Sequence, residues 1–362
     1  MLVTNPSGVG GRPERIQREF ASNGVSIEHL IGLEHGFLGL EEEFSQTPVT
    51  MDSTFGRPLY HIYKVSETEL KGLVNDVDVI LFDVQDVGMR CYTYLSVLKR
   101  LMDASSGTKI KFVLLDHVHQ AMHLPAMGPR IKPNYKNFAG EFPGLFITGM
   151  TLGEAAQFYN GEYLKNRVDL QVILVKNYKR SNRQTYEGTG LIWNTPSPNL
   201  PFVETARNYL SLVLLEGVNV SVGRGTQAPF VYFGSPWMVE PNFLLDRLDS
   251  LSSSKYYYST VFFKPTFGPH KGKVCFGLRL NLLTLDHNPI ELAYNLIFQM
   301  KEQYPKDFKW NKAKENYWID LIWGSDTFRL SIEKGLSFEE FALSYEKEEK
   351  EERGKIAPYL LY

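Results

Sequence analysis

The stretch Val77–Asp86, "VDVILFDVQD", constrains the fold more than any other. It is a nearly unbroken apolar run of strand length that ends in acids and a glutamine. Without polar alternation it reads as a strand covered on both faces, as in the interior of a parallel sheet. "IKFVLLD" (110–116) and "LQVILV" (170–175) repeat the pattern. Helical stretches lie between them. "CYTYLSVLKRLMDASSG" stops at Gly107, and "TLGEAAQFYNGEYL" opens with Thr151 and Glu154 in capping-box spacing. Upstream, "MLVTN" is strand-like, "RPERIQREFASNG" reads as a helix ending at Gly24, and "VSIEHLIG" is the next strand. "TARNYLSLVLLEG" reads as a helix from Thr205 to Gly217. Repeated β–α alternation predicts an α/β fold with a doubly wound parallel sheet.

The pattern changes at "GSPW" (234–237). Aromatic strands, "YYYSTVFFKPTF" and "KVCFGLRLNLL", then precede helices. We expect domains at 1–232 and 233–362, the second smaller and α+β. The Glu/Lys run at 346–355 reads as a solvated helix end with i,i+4 pairs.

In open α/β sheets ligands bind beyond the carboxyl ends of the strands. Strand one delivers Asn5 and Ser7 there. Strand two delivers Glu34 and His35, in "GLEHGFLG". The next deliver Asp83, Gln85, Asp86 and Arg90, then Asp116, His117 and His119. "NTPSPNLP" (194–201), with Asn199, follows the later strand. These groups are expected to meet in one cleft. Two stretches are dense in polar residues. "DVQDVGMRCYTY" reads either as a helix-capping strand end or as a pocket for a hydroxyl-rich ligand. "EGVNVSVGRGTQAPF" places Arg224 between two glycines, where it can serve a structural ion pair or grip a carboxylate.

Other motifs are discounted. "GVGGRPERI" has Pro13 where a dinucleotide fingerprint needs its third glycine, so no nucleotide cofactor is expected. "DHVHQAMH" puts His117 and His119 on one strand face, with His123 beyond, but shows no further ligand, so no metal is expected. No G-x-S-x-G is present. With two distant cysteines there is no disulfide framework. A net charge of −2 offers no surface for nucleic acid, and no run spans a membrane. The 13% aromatic content builds cores and also lines sugar clefts.

"LVTNPSGV", "EHGFLG", "LFDVQDVGMRCYTY", "GMTLGE", "PSPNLP", "EGVNVSVGRGTQAPF" and the terminal "YLLY", in order across nearly the whole chain, resemble the peptidoglycan exo-β-N-acetylmuramidases of glycoside hydrolase family 171. The resemblance implies a Rossmann-like N-terminal domain, a smaller C-terminal domain that completes the cleft, and no cofactor. It implies release of terminal N-acetylmuramic acid from the non-reducing end of peptidoglycan fragments or muropeptides, with Glu34 as the acid. It also implies a periplasmic or secreted protein, whereas a chain truly starting at "MLVTNPSGVG", which has no leader features, would be cytoplasmic.

Glycoside hydrolysis needs an acid at the leaving oxygen and a second group that activates water or attacks the anomeric carbon. Asp83, Asp86 and Glu216 are candidates for the second carboxylate, and Asp86 is preferred. His35 is expected to position water or Glu34. Arg224 or Arg90 is expected to bind the lactyl carboxylate of muramic acid, and Tyr92 and Trp237 to stack on the sugar. Asn5, Asp83, Gln85, Asn199, Glu216, Asn219 and Thr226 complete the expected substrate contacts. The chain departs from the family at Leu38, where arginine is usual, and at "DHVHQ", where the family has D-R-P-N-P. These departures keep two alternatives open: a non-catalytic muropeptide-binding protein on the same fold, or a glycosidase with shifted amino-sugar specificity.

Overall fold

The computed structural model describes residues 1–8, 13–39, 47–182, 186–251 and 254–362. Val9–Arg12, inside the discounted glycine stretch, lie outside the described residues. Among the described residues, seven strands form one sheet. They are β1 (Leu2–Thr4), β2 (Leu30–Gly32), β3 (Val49–Asp52), β4 (Arg57–His61), β5 (Val79–Asp83), β6 (Lys111–Leu115) and β7 (Asp169–Ile173). The order is β3-β4-β2-β1-β5-β6-β7, and every pair is parallel except β3–β4. The chain winds outward from β1 to β2, then returns to lay β5 on the other side of β1. The switch point therefore lies between β1 and β5.

The register sorts the core. Leu2 pairs with Leu30 and Leu81, and Val3 pairs with Ile31 and Phe82. Strand alternation then puts Val3, Ile31, Ile80, Phe82, Phe112 and Leu114 into the main core. Helices α2 (Glu67–Asn75), α3 (Tyr94–Ser105) and α4 (Leu152–Glu162) lie side by side there. Leu2, Leu30 and Leu59 face the other way and pack with Phe37 and Phe55, while α1 (Pro13–Ser22) follows β1. The expectation of full cover on both faces of the 77–86 strand holds for one face only, since Val79 is exposed and Leu81 half-buried. The sequence reading passes over 47–75, because β3 is short, edge-placed and largely exposed. Thr151 and Glu154 form the expected capping box.

The expected helix over 205–217 is α5 (Val203–Leu212) tightening into a 3₁₀ segment, Val213–Gly217. Then follow β8 (Tyr232–Ser235), α6 (Pro241–Leu251), β9 (Tyr256–Phe263), β10 (Cys275–Leu282) and α7 (Pro289–Gln303). The strands form an antiparallel sheet in the order β8-β10-β9. Helices α8 (Trp318–Trp323), α9 (Thr327–Glu333), α10 (Phe338–Ala342) and α11 (Glu346–Ile356) complete this smaller part. The main core continues into it through Trp323, Phe328 and Phe341.

Two further ties join the halves. Arg90 is fully buried, and its guanidinium donates to the carbonyls of Pro129 (2.7 Å), Gly144 (3.0 Å) and Trp323 (2.5 Å). The Glu/Lys run does more than face solvent. Glu349 and Glu348 accept the amides of Gly128 and Arg130, and buried Glu352 takes the Arg130 guanidinium at 2.7 Å. The i,i+4 pairs are present as well, among them Arg353–Glu349 at 3.0 Å. The acids that a solvated face would waste are used to hold a loop whose amides have no strand partner.

Candidate active site

The strand β2 ends at Gly32, and a turn follows in which the Gly36 amide donates to the Leu33 carbonyl at 3.0 Å. Glu34 and His35 occupy the corner of this turn. They line a cleft of about 200 Å³ together with Tyr92, Thr93, Ser197, Asn199, Tyr209, Glu216, Arg224, Phe230 and Trp318. The wall thus draws on the sheet, on the loop before α5, on the 3₁₀ segment after α5, and on α8.

Glu34 accepts a hydrogen bond from Thr93 Oγ1 at its Oε2, 2.8 Å. His35 Nε2 lies 2.9 Å from Ser197 Oγ, which fixes the ring against the 194–201 loop. Arg224 Nη1 donates to Glu216 Oε1 at 3.2 Å, and its guanidinium lies over the Phe267 ring. The Arg224 Nε is buried and has no hydrogen-bond partner among the described residues. The loop can hold Arg224 so because Gly223 and Gly225 have positive φ (77° and 78°), and a Cβ on Gly223 would lie 2.6 Å from the Ala228 carbonyl. Burial raises the Glu216 carboxyl above its ordinary range, the Arg224 charge and hydrogen bond oppose this, and the Glu34 charge adds to the rise. Burial pushes the Cys91 thiol, also in the wall, up to about 12, so it stays protonated.

The expected single cluster is divided. Glu34, His35, Tyr92, Asn199, Glu216 and Arg224 share the cleft. Asp116, His117, Gln85 and Ser7 instead line a separate depression with Asn194. Asp86, the preferred second carboxylate, does not line the cleft. It is 2% exposed, its Oδ2 accepts the Gly88 amide at 2.7 Å, and burial pushes its carboxyl up to about 7. Arg90 is closed to a ligand because it is fully buried, with Nη1 and Nη2 held by backbone carbonyls. Asp83 is paired with His117 Nε2 at 2.8 Å. Asn5 is buried between Tyr94, Pro196 and Ser7. The Gln85 amide donates to the Val118 carbonyl.

Asn219 and Thr226 serve the backbone too. Asn219 bonds Asp307 and Lys309, and Thr226 closes its own turn on Gly223 at 2.6 Å. Trp237 packs edge-on to Tyr304, away from the cleft. Trp318 lines the cleft instead, and nothing in "NYWIDLIW" marks it beforehand. Thr93, Tyr209 and Ser197 were also missed as site residues, although Thr93 lies inside a stretch singled out as dense.

The departures from the family pattern fall outside the cleft wall. Leu38 is 52% exposed. Asp116 caps α4, accepting from Thr151 Oγ1 (2.6 Å) and the Gly153 amide (2.9 Å), and it also accepts from the Tyr362 hydroxyl (2.9 Å). His119 bonds the Met150 carbonyl, and burial pushes its ring down to about 4.

Comparison with known proteins shows the family. The family model of the exo-β-N-acetylmuramidase NamZ N-terminal domain matches residues 1–204, and that of its C-terminal domain matches residues 207–362. The chain belongs to the NamZ exo-β-N-acetylmuramidase family. It is 31% identical to the peptidoglycan β-N-acetylmuramidase NamZ of Bacillus subtilis (strain 168), over 100% of this chain and 86% of that protein. Two crystal structures of DUF1343 family proteins from Bacteroides fragilis NCTC 9343 share the fold. One has a TM-score of 0.86 at 26% identity, the other 0.74 at 30%, and each match covers 100% of this chain and 93% of the other. The two NamZ family models meet at 204–207, just where α5 begins, whereas the sequence pattern changes at 233. The 3₁₀ segment after α5 carries Glu216 into the cleft, packed against α8.

Proposed function

We propose that this chain releases a terminal β-linked N-acetylmuramic acid from the non-reducing end of peptidoglycan fragments. Glu34 is the general acid, and Glu216 is the second carboxylate in place of Asp86. The observation that carries the reading is that Glu34 and Glu216 line one cleft, with Arg224 bonded to Glu216 in the same wall.

Glu34 protonates the glycosidic oxygen as the bond to the anomeric carbon breaks. Glu216 acts on the anomeric carbon or on the water that attacks it. Its raised pKa keeps the group nearer the operating pH, where a base works best, and Arg224 holds it ionised. Arg224 also binds the lactyl carboxylate through the exposed part of its guanidinium, a bond whose two charged partners strengthen it. Tyr92, Tyr209, Phe230 and Trp318 supply apolar faces for the ring, and Asn199 supplies an amide for its polar substituents. His35, locked to Ser197, keeps the turn that carries Glu34 in place.

Glu34→Gln and Glu216→Gln should each lower turnover of a chromogenic muramide by about 10²-fold or more, with unchanged melting temperature. Wild-type turnover by purified Glu34→Gln overturns the acid assignment. Calorimetric binding of a muropeptide by the wild type without product formation selects the non-catalytic alternative.

A further inference from the structure

Thr93 is the residue just before α3, the position where a threonine hydroxyl ordinarily accepts an amide of the first helical turn. Ser66, Thr151, Asn288 and Ser337 cap their helices this way, whereas Asp326 before α9, whose backbone is also helical, does not. Thr93 makes no such bond. Its backbone is already helical, with φ −63° and ψ −13°, rather than extended as at the four that cap. The hydroxyl is thereby released from its own helix and points to Glu34, where Oγ1 donates to Oε2 at 2.8 Å. On its other side Thr93 Oγ1 accepts from the Tyr63 hydroxyl at 3.0 Å. Tyr63 is wedged against the Phe138 ring, with centroids 4.3 Å apart.

We propose that Thr93, held by Tyr63, is a positioning residue that determines which oxygen of Glu34 carries the transferable proton. This rests on the reading of Glu34 as the acid. A hydroxyl has one proton, and Tyr63 donates its own to Thr93, so the Thr93 proton goes to Glu34 Oε2. The carbonyl oxygen of a protonated carboxyl is the better acceptor, so a Thr93 bond to Oε2 favours the acid proton on Oε1. The step then balances simply. The Oε1 proton passes to the glycosidic oxygen, the bond to the anomeric carbon breaks with its electron pair on that oxygen, and Glu34 is left as a carboxylate. The Thr93 bond strengthens as that charge forms, since a hydrogen bond to a carboxylate is stronger than one to a neutral acid. It thus favours the transition state over the ground state.

The test compares the full chain with Thr93→Val, Thr93→Ser, Tyr63→Phe and Glu34→Gln on two muramides, one with an alkyl leaving group and one with a dinitrophenyl group that departs without a proton. Thr93→Val should lower kcat on the alkyl muramide roughly tenfold or more, with KM nearly unchanged and a much smaller loss on the dinitrophenyl muramide. Thr93→Ser should recover most of the activity, and Tyr63→Phe should show a weaker loss with the same leaving-group dependence. Equal losses of Thr93→Val on both substrates, or wild-type kcat on the alkyl muramide, overturn the proposal. If Thr93→Val does not fold, Tyr63→Phe decides by the same leaving-group comparison. A Glu34→Gln that is fully active on the alkyl muramide sinks the acid reading itself, whereas a Glu34→Gln inactive on it beside a normal Thr93→Val and Tyr63→Phe sinks only the positioning role.

Discussion

The stretches "DVQDVGMR" (83–90) and "EGVNVSVGRG" (216–225) look alike as sequence, each opening on an acid and carrying glycine and one arginine. In the fold they part. Asp83, Asp86 and Arg90 are all buried and tied to a histidine, a backbone amide and three carbonyls. Glu216 and Arg224 sit in the cleft wall, bonded to each other, with side chains 23% and 29% exposed. Polar density at a strand end therefore does not identify a site. What identifies it is a polar group still able to bond a ligand after the backbone has been satisfied.

The two arginines give the sharpest test of this contrast. Arg90→Leu should destabilise the protein by about 3 kcal/mol or more, because it strands buried carbonyls of both halves. The check is a denaturation midpoint, and an unchanged midpoint with altered substrate specificity would reverse the roles of the two stretches. Arg224→Leu should leave the midpoint nearly unchanged. Its effect is on kcat/KM for muramides, a loss of about 1.5–3 kcal/mol in transition-state binding, and the loss should be smaller for the matching glucosaminide. Equal loss on both sugars removes the lactyl-recognition role. Arg224 holds the Glu216 pKa down against burial, so the variant should also move the acid limb of the pH–rate profile to higher pH.

The smallest effect belongs to Asp86. Burial raises its pKa from 3.8 to about 7, so the folded state binds a proton that the unfolded state releases between those values. The stability that this proton contributes is present below pH 3.8 and is lost as pH rises through about 7. Asp86→Asn keeps an oxygen for the Gly88 amide and removes the titration. It should raise stability at pH 8 relative to pH 5 by on the order of 1 kcal/mol, read from melting temperatures at the two pH values. A variant that melts lower than wild type by the same margin at both pH values rules this account out.

Much of the first half was legible because its signals are local. Apolar runs of strand length marked β1, β5, β6 and β7, and Thr151 with Glu154 marked the start of α4. The β3–β4 pair was not legible, since a short exposed edge strand carries no apolar run. Glu34 was legible as a strand-end acid, and its family motif strengthened it. Of its neighbours in the cleft, His35, Tyr92, Asn199, Glu216 and Arg224 were legible, and Trp318 and Thr93 were not. Trp318 comes from a helix with no motif, and Thr93 carries no signal of its own in the helical stretch that opens at Cys91.

The sequence by itself determined the β–α order, the sheet's carboxyl edge as the working edge, and the set of polar groups delivered there. Hydrophobic period and capping patterns act over a few residues, so they can be read along the chain. Only the tertiary structure decided which of those groups remain open to a ligand. Arg90 is closed by a carbonyl 233 residues away, and Asp116 by a hydroxyl 246 residues away. Glu34 and Glu216 line one cleft only because the segment after α5 brings Glu216 there, 182 residues along the chain from Glu34. Hydrogen bonding is satisfied in space rather than along the chain, and a site is made of the groups that this satisfaction leaves over.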